Sequence, residues 1–177
     1  SIGSEISRQL AISGIELILL DNNETGIFDL HSELKSLTQV YPSVADIRCL
    51  GRMKNIINTY HPHLIFHAAA YKHVPLMEEN HEEAFLTNVV GTLNCIESMG
   101  EGVEKLVAIS TDKAVEPENM MGLSKKMAET LVSSAAKSRL NSKMVIVRFG
   151  NVLGSRGNVL EVWKNQLQKN QPLTITD

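Results

Sequence analysis

Short apolar runs alternate along this chain with longer stretches in which apolar residues return every three or four positions. The short runs, Ile15 to Leu20, Val44 to Cys49, Leu64 to Ala68, Lys105 to Ser110 and Met144 to Phe149, predict strands. The longer ones, Glu24 to Thr38, Met53 to Tyr60, His81 to Met99, Asn119 to Ser138 and Val159 to Lys169, predict helices, and Pro172 to Thr176 begins one more strand. Strand and helix in turn is the signature of βαβ units, so the expected fold is α/β, a doubly wound parallel sheet with helices on both faces. Such a sheet opens on a strand, whereas Ser1-Ile2-Gly3-Ser4-Glu5 reads as turn and helix, and Asp177 follows a strand with no closing element. The pattern predicts one domain, truncated at both ends and lacking its first strand.

Composition narrows the class. The 177 residues, 43% apolar and 21% charged, suit an ordinary globular domain with one good core. A net charge of -3 argues against nucleic acid as the main partner. No run of about 18 apolar residues occurs, so no membrane segment is expected in this stretch, and Ser1 to Leu10 is too polar for a signal peptide. Cys49 and Cys95 stand far apart in apolar contexts, which predicts two buried thiols and a reducing, cytoplasmic location. His61, His63, His67 and His73 lie close in sequence, but two of them flank Pro62 and no Cys or Glu completes a ligand set, so no metal is expected.

Gly3, opening a helical run, fits the last glycine of a dinucleotide-binding loop, where helix N–H groups face a pyrophosphate. Asp21 closes the strand Ile15 to Leu20 about twenty residues later, where a carboxylate accepts hydrogen bonds from ribose hydroxyls. A helix cap and a turn aspartate are the plainer alternative for this pair. Asn22 and Asn23 follow, with no arginine to meet a 2′-phosphate, so the expected cofactor is NAD rather than NADP. Ile2 and Gly3 would line the loop and Asp46-Ile47 would meet the adenine edge. Ala68, Ala69 and Ala70 would leave room for a flat ligand at a strand end. A loop acceptor at Asp46 and tight packing at the alanines stay open as alternatives. Asn88-Val89-Val90-Gly91-Thr92 places asparagine and glycine in mid-helix, each unfavourable by up to about 1 kcal/mol, which predicts a buried polar contact or a close backbone approach.

Ile109-Ser110-Thr111-Asp112-Lys113-Ala114-Val115 sets a hydroxyl, a carboxyl and an amine together just past a buried strand, at the edge where open α/β sheets put their chemistry. Met121 and Lys125 are four residues apart and share a helix face. Short-chain dehydrogenases have Tyr-x-x-x-Lys at this spacing, the tyrosine as acid/base and the lysine holding the ribose. Methionine does not titrate, so proton transfer falls to other groups. Taken alone, Thr111-Asp112 also reads as a capped turn with exposed lysines on either side.

Six strings follow one another along the chain: Ser1-Ile2-Gly3-Ser4-Glu5, His67-Ala68-Ala69-Ala70-Tyr71-Lys72-His73-Val74-Pro75, Asn88-Val89-Val90-Gly91-Thr92, Ser110-Thr111-Asp112-Lys113-Ala114-Val115, Met121-Gly122-Leu123-Ser124-Lys125 and Arg148-Phe149-Gly150-Asn151-Val152-Leu153-Gly154-Ser155. On these strings it resembles the extended short-chain dehydrogenase/reductase superfamily. Within that group it is most similar to the nucleotide-sugar 4,6-dehydratases of capsule and O-antigen biosynthesis, UDP-N-acetylglucosamine 4,6-dehydratase-like, in the branch that carries methionine.

The resemblance implies a Rossmann-like NAD(P)-binding domain over residues 1–177, with the nucleotide-sugar-binding region starting near residue 150 and most of the substrate domain absent. It implies a lyase in which NAD takes hydride from C4 of the sugar, the ketone acidifies the C5 proton, water leaves across C5 and C6, and hydride returns to C6. Asp112, kept neutral in a semi-buried site, would protonate the departing C6 hydroxyl. Lys113, its pKa lowered by Lys125 and NAD, would remove the C5 proton, and Thr111 would relay the C4 proton. Lys125 would hold the cofactor together with Asn88. Lys72, His73, Asn151, Gly154, Ser155 and Arg156 would bind the UDP-sugar, Arg156 at its diphosphate. The full-length protein is expected to be a homo-oligomer, in the cytoplasm or anchored to the cytoplasmic face of a membrane, and residues 1–177 alone to be inactive. A nucleotide-sugar 4-epimerase or reductase of the same superfamily, and a non-catalytic dinucleotide-binding module, are the alternatives.

Overall fold

In the computed structural model, α1 (Ile2–Ile12) starts on Ser1, whose hydroxyl accepts the Ser4 N–H. The described residues are 1–139, 141–152 and 159–175. β1 (Leu17–Asp21) and β2 (Val40–Val44) pair in parallel and are joined by α2 (Glu24–Leu34), which Asn23 caps. α3 (Leu50–Tyr60) leads to β3 (Leu64–His67). α4 (Val74–Glu79), α5 (His81–Ala84), a π-helical turn (Phe85–Val90) and α6 (Gly91–Ser98) connect β3 to β4 (Lys105–Thr111). A 3-10 turn (Asp112–Ala114) and α7 (Met120–Ser138) lead to β5 (Lys143–Phe149), and α8 (Val159–Gln168) lies beyond. β3, β4 and β5 form a second parallel sheet in that order, with Ser110 opposite Arg148 and Thr111 opposite Phe149. This is the α/β, Rossmann-like arrangement expected from the sequence, parallel strands connected by helices.

Four expectations about elements are corrected. β2 occupies Val40–Val44 rather than Val44 to Cys49. Pro42 reads as a strand breaker because it has no N–H, yet among the described residues β2 pairs with β1 alone, and an edge strand tolerates that loss. Cys49 then falls at the start of α3 and is exposed, so only Cys95 is buried, and both thiols are free. The helix from Glu24 stops at Leu34 instead of Thr38. The single helix expected over His81 to Met99 is α5, the π turn and α6, with α4 in front of it. Residues 171–175 form no strand, because they fold back on α8, where Trp163 Nε1 donates to the Thr174 carbonyl at 2.8 Å and the Gln166 side chain bonds Thr174 twice.

The main core joins Met53 and Ile57 of α3, Cys95 and Ile96 of α6, Leu106 and Ala108 of β4 and Val132 of α7. Leu17, Leu19, Ile27, Leu30, Leu34 and Val40 form a second cluster around β1, β2 and α2. Leu20 of β1 and Ile65 of β3 both pack against the main core, although their sheets share no hydrogen-bonded strands.

Candidate active site

β4 leaves the core at Ser110 and Thr111, and the backbone turns at once into the 3-10 turn, so Thr111, Asp112 and Lys113 fall together at the carboxyl edge of the sheet. Asp112 Oδ1 accepts from Thr111 Oγ1 at 2.9 Å, from the Lys113 N–H at 2.8 Å and from Lys113 Nζ at 3.3 Å. Both side chains are open to solvent, 59% for Asp112 and 42% for Lys113. The expectation of a neutral, semi-buried Asp112 is therefore corrected. Hydrogen bonds from Thr111 and then Lys113 hold its carboxyl below the usual carboxylate range, so it is ionised at neutral pH.

The turn is braced from α7. Asn119 Oδ1 accepts the Gly122 N–H at 2.8 Å, and the Glu78 carboxylate of α4 accepts the Met120 N–H at 2.6 Å. Gly122 faces the Lys113 carbonyl, and a Cβ there would lie 2.5 Å from that oxygen. Only glycine lets α7 begin this close to the turn.

Lys125 is nearly buried, and its Nζ donates to the Ile109 carbonyl at 2.7 Å. Burial pushes its pKa down to about 8, against the opposing pull of the Glu129 carboxylate. Met121, one helical turn earlier, packs with Met77 and Ala84 and presents no titrating group. His67, at the end of β3, sits 2.8 Å through Nε2 from Thr92 Oγ1, which itself donates to the Asn88 carbonyl. Burial, and then the charge of Lys125, push the His67 pKa to about 3, so its ring is neutral. Glu129 accepts from Ser110 Oγ at 2.6 Å and from Arg148 Nε and Nη2 at 2.9 and 2.6 Å. Ser110, Glu129 and Arg148 are absent from the site expected from sequence. The available signal was spacing, since positions 121, 125 and 129 share one helix face.

Among the residues that could hold a dinucleotide, Ile2 and Gly3 open α1 beside the end of β3: a Cβ on Gly3 would meet Ala68 Cβ at 3.6 Å. That is ordinary contact, so space alone does not demand a glycine. Asp21 ends β1, exposed, its carboxylate accepting the Asn23 N–H at 2.9 Å. Ala68, Ala69 and Ala70 form a half-buried strip directly after β3. Asp46 is engaged by Arg48, which bonds its carboxylate through Nε and Nη2 and reaches Glu83 through Nη1 at 3.0 Å. Ile47 is buried, its carbonyl accepting from Asn94 Nδ2 and its side chain filling the space over Gly91, where a Cβ would collide with it.

Asn88 is fully buried. Its Oδ1 accepts the Tyr71 N–H, and its Nδ2 donates to the Tyr71 carbonyl and to Ser124 Oγ. The buried polar contact and the close approach expected at Asn88 and Gly91 are both present. Both Asn88 amide hydrogens are spent inside the protein, so its visible role is to tie the loop carrying Lys72 and His73 to α7. Lys72 and His73 are exposed at that loop, His73 starting α4. Asn151 is exposed just past β5, and Gly154, Ser155 and Arg156 lie outside the described residues. Among the described residues no three His, Cys, Asp or Glu side chains are grouped to hold a metal ion, and no helix is long and apolar enough to cross a membrane.

The whole chain, residues 1–177, matches the family model described as polysaccharide biosynthesis protein. This chain belongs to the polysaccharide biosynthesis protein family. The capsular polysaccharide biosynthesis protein CapD of Staphylococcus aureus is 44% identical over 182 residues, covering 99% of this chain and 30% of that protein. Among solved structures, Pen from Bacillus thuringiensis matches with a TM-score of 0.89 and 35% identity, over 99% of this chain and 55% of that one. UDP-glucose 4-epimerase of Thermus thermophilus, in complex with NAD, matches with a TM-score of 0.82 and 27% identity, over 99% of this chain and 62% of that one. The chain thus spans less than two thirds of each of these proteins. In this member of the polysaccharide biosynthesis protein family, the turn Asp112–Ala114 stands at the carboxyl end of the middle strand of the second sheet, and Lys125 is bonded to that strand at the Ile109 carbonyl.

Proposed function

We propose that the chain is the cofactor-binding part of a nucleotide-sugar-modifying lyase of surface-polysaccharide synthesis: a NAD-dependent 4,6-dehydratase acting on a UDP-N-acetyl-hexosamine, UDP-N-acetylglucosamine first of all. The observation that carries this reading is the Lys113–Asp112 pair at the end of β4, 3.3 Å apart, beside a buried Met121 where a titrating tyrosine would stand. Removing and returning hydride at C4 alone needs one acid/base. Losing water across C5 and C6 needs a base and an acid together, and this pair supplies both.

NAD, when bound, would supply the acceptor for hydride from C4 and the donor of that hydride to C6. The residues present fit it: the α1 start at Ile2 and Gly3 for the pyrophosphate, the exposed Asp21 carboxylate for the ribose, and the small Ala68, Ala69 and Ala70 for a flat ring, with Lys125 beside them. Thr111 would relay the C4 hydroxyl proton. The Lys113 amine would take the C5 proton and pass it to the Asp112 carboxylate, which would surrender it to the departing C6 hydroxyl as water. The C4 hydroxyl proton, relayed by Thr111 to solvent, would be made good by a solvent proton returned to C5 through the Lys113 amine as hydride reaches C6, so the pair ends as it began. An ionised Asp112 is what this route requires at its start. Lys72, His73, Asn151, Gly154, Ser155 and Arg156 would hold the UDP-sugar, Arg156 through a charge-assisted contact to the diphosphate.

The same proposal extends to the whole molecule. One further parallel strand between β1 and β3 would unite the two sheets, and the nucleotide-sugar region would begin near residue 150. Homo-oligomerisation and a position at the cytoplasmic face of a membrane rest on family membership alone. The 27% identity to an NAD-complexed UDP-glucose 4-epimerase favours a second reading, hydride returned to C4. Full-length protein incubated with UDP-N-acetylglucosamine in D₂O decides between them. A 4-keto-6-deoxy sugar carrying deuterium at C5, lost on Asp112→Asn or Lys113→Met, supports the dehydratase; a C4 epimer that keeps its C6 hydroxyl replaces it with the epimerase; no turnover leaves a binding module.

A further inference from the structure

We propose that Glu129 is a positioning residue of this site: its carboxylate ties β4 to β5 immediately before the reacting turn and serves as counter-ion to the Lys125 ammonium. The inference takes Thr111, Asp112, Lys113 and Lys125 as the working groups and so rests on the function proposed above.

Ser110 and Arg148 are direct partners in the β4–β5 register, and Glu129 accepts hydrogen bonds from both. The residue after Ser110 is Thr111. Two residues after Arg148 comes Gly150, which borders Asp112, since a Cβ on it would lie 3.6 Å from Asp112 Oδ2. One carboxylate therefore fixes both sides of the gap in which Asp112 stands. Lys125, one turn earlier on α7, bonds the Ile109 carbonyl, so two consecutive residues of β4, Ile109 and Ser110, are pinned to one face of one helix.

The arrangement also sets charge. Lys125 and Glu129 line the same cavity of about 10 Å³ with His67, Thr92 and Ser110, room for about one water. With so little solvent between them, their fields are weakly screened. The charged and titratable groups that act on Lys125 and its partner carboxylate are Glu129 on its own helix, neutral His67 from β3, Arg148 of β5 behind Glu129, and Lys126, whose charge also favours the Glu129 anion. Arg148, then Ser110, hold the Glu129 carboxyl below its usual range, so it stays an anion wherever Lys125 titrates. Neutralising Glu129 then lowers the Lys125 pKa, because its counter-ion goes and Arg148 remains. Removing Arg148 instead leaves the Glu129 charge unbalanced and raises it. Both changes break the same clamp yet move Lys125 in opposite directions, which a purely structural role does not do.

The test is a pH titration of carbon-13 lysine side-chain resonances in the 177-residue chain, Lys125 being the signal lost in Lys125→Met. Glu129→Gln is expected to shift the Lys125 midpoint down from about 8, Arg148→Met to shift it up, and Arg148→Lys, which keeps the charge, to leave it near its starting value. Midpoints that stay put, or move the same way in Glu129→Gln and Arg148→Met, overturn the proposal. Should Arg148→Met not fold, as judged by circular dichroism, a lowered Glu129→Gln midpoint beside an unmoved Arg148→Lys one still supports it, and any other pair of results overturns it. In the full-length enzyme, the basic limb of the kcat profile follows the same order. Opposed midpoints without any turnover of a UDP-sugar would sink the dehydratase reading and leave the role of Glu129 intact.

Discussion

Lys125 carries its ammonium where the fold disfavours charge. Its pKa falls to about 8 from 10.5, so between those values the unfolded chain holds a proton that the folded chain has shed. Stability contributed by this group therefore rises from pH 8 to 10.5, and below pH 8 it stands at its full penalty, about 3 kcal/mol by the shift alone. Lys125→Met removes that penalty and loses one hydrogen bond to Ile109, worth about 1 kcal/mol. The variant is expected to be the more stable protein at pH 7 in urea unfolding, with its advantage gone by pH 10.5. A variant destabilised at pH 7 would mean that the Ile109 bond outweighs the buried charge. At this scale, the gathering of Thr111, Asp112 and Lys113 after β4, the strand to which Lys125 is bonded, was legible because these polar types follow directly on an apolar run. The ionised state of Asp112 was not, because it depends on how far a short turn lets solvent in.

The elements around the site owe their positions to small residues and caps more than to propensity. Gly122 is the tightest of these, since its missing Cβ lets α7 start against the Lys113 carbonyl. Backbone on both sides of that contact leaves little room to yield. Gly122→Ala is expected to cost about 1–3 kcal/mol, as overpacking does, and to lower kcat in the full-length enzyme by moving Lys113, with substrate affinity less changed. Retained kcat and unaltered thermal unfolding would show that the turn yields to α7. Short apolar runs located β3, β4 and β5 and helical spacing located α7, because the apolar residues of each are contiguous or recur on one face within the sequence itself. β2 escaped them because Pro42 is read as a breaker by any local rule, and only its place at the sheet edge makes it acceptable. The π turn at Phe85–Val90 escaped as well: it carries Asn88, whose hydrogen-bond partners Tyr71 and Ser124 are far away in sequence.

At the scale of the whole molecule, the two sheets share a flank of core, and among the described residues no backbone hydrogen bond joins them. β1 and β2 rest on their own small cluster, whereas β4 is paired on both sides and covered by the main core. Local opening is drawn from segments with fewer neighbours, so amides of Leu17–Asp21 are expected to exchange with solvent before those of Leu106–Ser110 in the 177-residue chain. Equal rates in the two sheets would mean a single cooperative unit. Periodicity determined the α/β class, the parallel strands and the order of the elements, because apolar spacing is a property of neighbouring residues. Residue type determined that a hydroxyl, a carboxylate and an amine gather after β4. Only the tertiary structure decided that Glu129 stands between Ser110 and Arg148 and that Asn88 is spent on Tyr71. Each is a hydrogen bond between groups brought together by the packing of helices, loops and sheet, and no local pattern encodes a distance across the core.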